Sequence, residues 1–275
     1  MKELRHPPAG TAQDVPVRSL RADGAHAGRD LVAVEVPVAL EFNGVSHAVM
    51  MATPADLEDF ALGFSLTEGI LEGAAQLHDM EAEEGPQGWT LRLEIASSRF
   101  ARLKEMRRNL TGRTGCGLCG TESLSHAVRR PEAVPSPHQP FEAAAVARAM
   151  ANMRGHQPLG SATGSTHAAI WCAADGTVRL GREDVGRHNA LDKLIGAMAR
   201  AGEDPRAGFI AVSSRASYEM VQKTGAARVS LLAAVSGVTA LAVDVAAGAG
   251  MTLAGFARES GLSVYCGTLA GEGAR

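Results

Sequence analysis

The segment Pro131-Glu-Ala-Val-Pro135-Ser-Pro137-His-Gln-Pro140 constrains the fold of this chain more than any other stretch. Four prolines in ten residues remove backbone donors and hold φ near −65°, so neither a helix nor an interior strand can run through it. The core must be assembled from elements on either side. The segment, residues 131–140, reads as an extended linker between a unit at 14–130 and a unit at 141–275. Residues 1–13 show no periodicity and read as a disordered N-terminus. A chain of 275 residues has room for two such units.

Upstream of the prolines, Leu31 to Phe42 is rich in β-branched residues, Asn43-Gly44 is a turn signal, and Val45 to Met51 returns as a strand. Thr53-Pro54-Ala55-Asp56 supplies an N-cap, a first-turn proline and an early carboxylate for a helix. Leu57, Phe60, Ala61 and Phe64 then recur at helical spacing. Trp89 to Ile95 reads as a strand, Ser98 to Leu110 as a helix with a basic face, and Glu122 to Arg130 as a short helix. These elements predict an N-terminal α+β domain.

Downstream, a helix over Phe141–Met153 precedes a hairpin of Thr166–Cys172 and Thr177–Leu180 about Asp175-Gly176. A helix over Ala190–Ala201 follows. Strands at Phe209–Ser213, Val229–Val235 and Met251–Phe256 then alternate with helices at Tyr218–Thr224 and Thr239–Ala247, and Leu262–Tyr265 adds a short strand. That order predicts an α/β layered domain whose later strands are parallel. Val229 to Ala257 carries Asp244 as its only charge, but a carboxylate at mid-membrane is costly, so the stretch reads as buried strand–helix–strand.

Composition excludes several classes. A formal net charge of −3 gives no bulk basic field for nucleic acid. Met1 to Pro8 has no apolar signal core, and there are only four cysteines, so a reducing cytoplasm is the expected compartment.

The chemistry concentrates in Thr111-Gly-Arg-Thr-Gly-Cys116-Gly-Leu-Cys119-Gly120. Cys116 and Cys119 sit three positions apart among four glycines, with Arg113 just ahead. Glycines imply an exposed loop, and exposure beside a cation favours thiolate. Two readings stay open on spacing alone: sulfur chemistry, or half of a zinc site. A zinc deaminase is excluded, because Gly115 rather than proline precedes Cys116 and no His-x-Glu occurs. Cys172 reads as a buried core thiol, while Cys266 is ambiguous. With only one close cysteine pair, no metal site is expected.

Three polar clusters follow strands, where open α/β sheets bind ligands. They are Gly181-Arg-Glu-Asp-Val-Gly-Arg-His-Asn189, Ser213-Ser-Arg-Ala-Ser217 and Gly255-Phe-Ala-Arg-Glu-Ser-Gly261. Arg187, Arg215 and Arg258 are candidate anion contacts. His167 and His188 read as structural hydrogen-bonding residues or, with the cysteines, as metal ligands.

Together these stretches resemble the FdhD family, the formate dehydrogenase accessory sulfurtransferases. The resemblance rests on Glu35-Val-Pro-Val, Met50-Met-Ala-Thr-Pro-Ala-Asp56, Gly63-Phe-Ser-Leu-Thr-Glu-Gly-Ile70, Cys116-Gly-Leu-Cys-Gly120 and Gly164-Ser-Thr-His-Ala-Ala169. Arg182-Glu-Asp-Val-Gly-Arg-His-Asn-Ala-Leu-Asp-Lys193 is its most specific piece, and Glu219-Met-Val-Gln-Lys223 and Thr252 to Arg258 follow in order. The resemblance implies a cytidine-deaminase-like second domain and a homodimer. It implies sulfur transfer from a cysteine desulfurase, as a persulfide, to a bis-molybdopterin guanine dinucleotide destined for formate dehydrogenase. By position Cys116 would carry the persulfide and Cys119 would assist. Phe256, Ala257, Arg258, Glu259, Ser260 and Gly261 would bind the cofactor, with GDP as a mimic. The alternative is a cofactor-binding chaperone whose cysteines are structural or grip metal.

Overall fold

The computed structural model describes residues 6–108 and 128–271. Its mixed α/β architecture contains three sheets. Strands β1 (Ala12–Arg21) and β2 (Gly24–Ala33) form a separate antiparallel hairpin. β3 (Val36–Phe42) and β4 (Val45–Ala52) join β5 (Leu77–Gly85) and β6 (Gly88–Ile95) in a four-stranded sheet of order β4-β3-β6-β5. The remaining strands are β7 (His167–Ala173), β8 (Val178–Asp184), β9 (Gly208–Val212), β10 (Leu231–Ala234), β11 (Thr252–Arg258) and β12 (Gly261–Cys266). They form a six-stranded sheet of order β12-β11-β10-β9-β7-β8.

The helices are α1 (Leu57–Thr67), α2 (Ser97–Arg108), α3 (Ala143–Met153), α4 (Pro158–Thr163), α5 (Arg187–Ala201), α6 (Tyr218–Ala226) and α7 (Ala240–Gly248). Every second residue of a strand faces the same side, and both sides of the large sheet are apolar, so it needs cover on each. Trp171, Ile210, Val212, Leu232 and Leu253 pack under α5, α6 and α7. Ile170, Cys172, Phe209, Leu231 and Ala254 pack under Val146, Ala149 and Met153 of α3. The four-stranded sheet buries Leu40, Phe42, Leu91 and Leu93 against Phe60, Ala61 and Phe64 of α1.

The two halves meet where α1 crosses α5. A Cβ on Gly63 would lie 1.7 Å from the Asp192 carbonyl oxygen, and one on Gly196 would lie 1.9 Å from that of Asp59. Only glycine at both positions lets the helix backbones touch. Asp59, buried in α1, then accepts from Arg182 of β8 (2.7 and 2.8 Å) and from Arg200 of α5 (3.0 Å). The proline segment lies along the second unit: Val134 N–H donates to Ala249 O, His138 N–H to Arg206 O, and Arg206 Nε to Ser136 O.

Most elements fall where periodicity places them, and β9, β10 and β11 are parallel as expected. Val229 to Ala257 is a buried strand–helix–strand, and no described helix is long and apolar enough to cross a membrane. The sequence reading does not anticipate β5 and α4, β8 extends to Asp184 rather than Leu180, α5 begins at Arg187 rather than Ala190, and three further differences have a plain physical reason. The β-branched run from Leu31 breaks at 34–35, so its first residues belong to β2 and pair with β1. β1 itself begins at Ala12, inside the stretch read as lacking structure, because its pairing is with a segment too polar and Gly/Ala-rich to register as a strand. Finally α1 begins at Leu57, with Asp56 at φ 51° as N-cap and no side-chain cap bond. Thr53 is spent elsewhere: its N–H donates to Asp184 Oδ2 and its Oγ1 accepts from Val185 N–H.

Candidate functional site

β8, β9, β10 and β11 run in one direction, and α5, α6 and α7 each start just beyond the carboxyl end of the preceding strand. Three helix N-termini therefore open on one edge of the sheet, where their backbone dipoles favour an anion. The loops on this edge interlock into a continuous rim. Ser213 Oγ accepts from Ala168 N–H at 2.8 Å, Ala216 N–H donates to Gly237 O, and Thr239 N–H donates to Ala216 O. Phe256 N–H donates to Ser236 O at 3.0 Å. The three polar clusters read from sequence are thus brought to one place.

At one end of the rim, Asp184 organises the turn into α5. Its fully buried carboxylate accepts from Gly186 N–H (2.8 Å), Asn189 Nδ2 (3.0 Å) and Thr53 N–H (2.9 Å), and lies 2.7 Å from Lys193 Nζ. Lys193 also donates to Thr53 O, so this buried pair ties the first half of the chain to the second. The turn places Arg187 and His188, both half-buried, in the first turn of α5 at the rim. Arg187 Nε is buried without a hydrogen-bond partner, as is Ser217 Oγ at the N-cap of α6. His188 Nε2 lies 2.7 Å from Glu219 Oε2 but out of line for a hydrogen bond, so the contact is electrostatic.

Burial pushes His188 below the ordinary histidine pKa, with Arg187 and Lys223 adding to the effect against the pull of Glu219. Burial and Arg187 do the same to His167. Both rings are neutral at pH 7, available as proton acceptors or ligand contacts. Below them sits a buried charge cluster. Lys223 Nζ donates to Asp192 (2.9 and 3.0 Å), Glu68 (3.0 Å) and Thr67 Oγ1 (3.0 Å). Burial opposes its charge, yet the two carboxylates hold its pKa above the ordinary lysine value. Sequence reading missed this cluster, since only the Glu219–Lys223 helical spacing hints at it while Glu68 and Asp192 lie far off in the chain.

At the other end of the rim, β11 runs on to Arg258, two residues past the expected end at Phe256, and Arg258 pairs with Gly261 across a tight hairpin. The six cofactor-binding candidates divide accordingly. Phe256, Arg258, Glu259, Ser260 and Gly261 are exposed, whereas Ala257 is buried in the core under α3. Phe256 has φ 49° and is 50 % exposed, and its ring covers Gly237, where a Cβ would come within 3.2 Å of the ring. An exposed aromatic ring two residues before an exposed arginine suits a planar ring that carries an anionic group. Arg215 is exposed midway along the rim.

Cys116 and Cys119 lie outside the described residues, as does nearly all of the short helix expected at Glu122–Arg130. The described chain resumes beside the rim. Arg129 N–H donates to Tyr218 Oη (2.5 Å), Tyr218 Oη donates back to Arg129 O (3.1 Å), and Arg129 Nη1 donates to Glu68 Oε2 (3.1 Å). Cys172 is buried in β7, and burial pushes its thiol well above the usual cysteine range; burial also raises Cys266. Neither is a nucleophile near neutral pH. Among the described residues no group of three His, Cys, Asp or Glu is placed to hold a metal ion.

Fold and site together define an α/β protein whose strand ends carry a long, arginine-bearing rim of the kind that receives anionic ligands. The FdhD/NarQ family model matches residues 33–270, and the chain belongs to that family. It is 59% identical over 257 residues to the sulfur carrier protein FdhD of Variovorax paradoxus, covering 93% of this chain and 92% of the relative. It is 57% identical over 236 residues to the protein of the same name from Cupriavidus necator, covering 86% and 82%. In structure it is similar to a chain described as a formate dehydrogenase accessory protein from Desulfotalea psychrophila, with TM-score 0.73 and 22% identity over 95% of this chain and 98% of that one.

Proposed function

We propose that this chain is a sulfur carrier that takes a sulfur atom from a cysteine desulfurase onto Cys116 and delivers it to a molybdenum cofactor destined for formate dehydrogenase. The names of its close relatives support the sulfur-carrier role. The observation that carries the rest is the placement of Arg129. The segment bearing both cysteines ends at a residue fastened to the first turn of α6, next to Ser217, His188 and Arg187 on the rim. In sequence, Cys119 comes ten residues before that anchor.

In the loading step the Cys116 thiolate attacks the outer sulfur of the donor persulfide. The donor S–S bond breaks, the donor cysteine leaves as thiolate, and Cys116 holds S–SH; no net oxidation occurs. Cys119 assists release. The cargo is bis-molybdopterin guanine dinucleotide, whose phosphates and planar rings match the rim's chemistry. Unsatisfied Arg187 Nε and Ser217 Oγ, three helix N-termini and the open ring of Phe256 are the parts that fit it. Phe256 and Arg258 to Gly261 would hold its guanine nucleotide, for which GDP serves as a mimic. We read the second domain as cytidine-deaminase-like because a helix and a hairpin lead into its covered sheet, and the cytoplasm as the site of action because the sequence holds only four cysteines.

The test is complementation of a bacterial host lacking its own family member. Wild type should restore formate dehydrogenase activity and Cys116→Ala should not, at equal protein level. Full restoration by Cys116→Ala would overturn the proposal.

A further inference from the structure

One member of the buried charge cluster beneath the rim reaches the surface. The cluster joins the end of α1 to α5 and α6. Thr67 Oγ1 donates to Asp192 Oδ1 at 2.7 Å, and Gln222 Nε2 donates to Thr67 O at 3.0 Å. Lys223 then has a carboxylate on each side. Asp192 is its buried partner, whereas the Glu68 side chain is 30 % exposed and turns its second oxygen outward. Burial works against charge on Glu68, yet Lys223 and Arg129 hold its pKa below the ordinary carboxylate value, so it is ionised at pH 7.

What Glu68 presents outward is a socket for Arg129. Its Oε2 accepts from Arg129 Nη1 at 3.1 Å, and its carbonyl oxygen accepts from the same atom at 3.3 Å. Tyr218, the first residue of α6, holds the main chain of that residue: one hydroxyl accepts from Arg129 N–H and donates to Arg129 O. Val128 adds a half-buried contact with the core under α5, α6 and α7. An exposed residue is thus gripped by its side chain, its N–H and its carbonyl at once. The stretch that follows is fastened without this grip. The ring of Pro131 lies against Gly225, where a Cβ would come within 2.7 Å of it, and Val134 N–H donates to Ala249 O.

Given the sulfur-carrier role of Cys116, on which this rests, we propose that Tyr218 and Glu68 are positioning residues for sulfur delivery: they hold Arg129 at the start of α6, beside Ser217 and His188. Without them the next polar or packed hold on the chain is Pro131 at Gly225. That point lies seven residues further along α6, about 10 Å away at 1.5 Å per residue. Cys116 precedes Arg129 by thirteen residues. Gly-rich chains of that length span about 20 Å on average, so moving one end by about 10 Å changes the local concentration of the other severalfold. The grip on Arg129 therefore acts on delivery at the rim and leaves loading by a separate donor protein unaffected. A charge buried at Lys223 is costly, and what it provides here is an ionised Glu68 facing Arg129.

The test has two arms, both on the full-length protein. In hydrogen exchange the Arg129 amide should be slowed about tenfold or more in wild type and released in Tyr218→Phe, whose ring still packs on the core. Equal exchange in the two would overturn the proposal. The second arm uses a release variant, Val128→Ser with Arg129→Ala and Tyr218→Phe, in a host lacking its own family member and at equal protein level. Formate dehydrogenase activity should fall about threefold while the persulfidated fraction of Cys116, read by mass spectrometry, rises, because loading continues as delivery lags. A merely weakened fold would lower activity without raising the persulfide. Wild-type activity, or lower activity with no rise in persulfide, would overturn the positioning role. No persulfide on Cys116 in wild type would overturn the sulfur-carrier role itself, and the positioning role with it, so the two failures are told apart.

Discussion

Lys193 Nζ lies 2.7 Å from Asp184 Oδ2 with both side chains fully buried, and between them they hold the N–H and C=O of Thr53. The loop leading into α1 is thus locked to the end of β8, and the turn that presents Arg187 and His188 is locked with it. Removing one partner strands a charge in the core. Asp184→Ala should destabilise the protein by about 3–5 kcal/mol, read from equilibrium urea unfolding. Asp184→Leu combined with Lys193→Met should recover much of that loss, because neither charge then remains. Equal loss in the double variant would mean that packing at Thr53, rather than charge, governs the site.

The α1–α5 crossing makes a second structural prediction. Gly196→Ala puts a methyl into the Asp59 carbonyl, so the helices must part by more than an ångström. We expect about 1–3 kcal/mol of destabilisation or more, with loss of the Arg182–Asp59 pair. Thermal unfolding of Gly196→Ala against wild type checks it, and an unchanged midpoint would contradict the crossing.

How much of this was legible in the sequence follows from the range of the signals involved. The Asn43-Gly44 turn, the parallel strand–helix alternation after Phe209 and the three rim clusters are local patterns, and each was readable from adjacent residues. What escaped depends on distant partners. Thr53 looks like a helix cap until Asp184 and Lys193 are placed beside it. Glu219 lies far along the chain from His188, and Glu68 farther still from Lys223. The β1–β2 hairpin buries so little that it left no apolar alternation to find. At the cofactor-binding stretch the residue types were plain, but the inward turn of Ala257 required the register of β11 against β12.

The rim histidine should titrate in a defined direction. His188 has a native pKa below its unfolded value of 6.5, so the unfolded state binds the proton more readily. Its contribution to stability is full above pH 6.5 and is lost as pH falls through the lowered native value. Glu183 and Asp192, held above their ordinary values by burial, act in the opposite sense, so the difference against His188→Asn is the quantity to read. Wild type should lose stability relative to that variant on going from pH 7.5 to 5. A constant difference would show that His188 is not depressed.

Arg258 should matter for the nucleotide end of the cargo and not for the thiol. A charged contact to phosphate contributes about 1.5–3 kcal/mol, so Arg258→Ala should weaken GDP binding about tenfold to a hundredfold by calorimetric titration. An unchanged affinity would take Arg258 out of the site.

The central claim is that sulfur travels on Cys116. Purified protein incubated with a cysteine desulfurase and cysteine, then digested and weighed by mass spectrometry, should show an added mass of about 32 Da on the Cys116 peptide, removable by reductant. Cys172 and Cys266, whose thiols burial holds protonated, should carry none. An unmodified Cys116 in wild type under conditions that load the desulfurase itself would contradict the account.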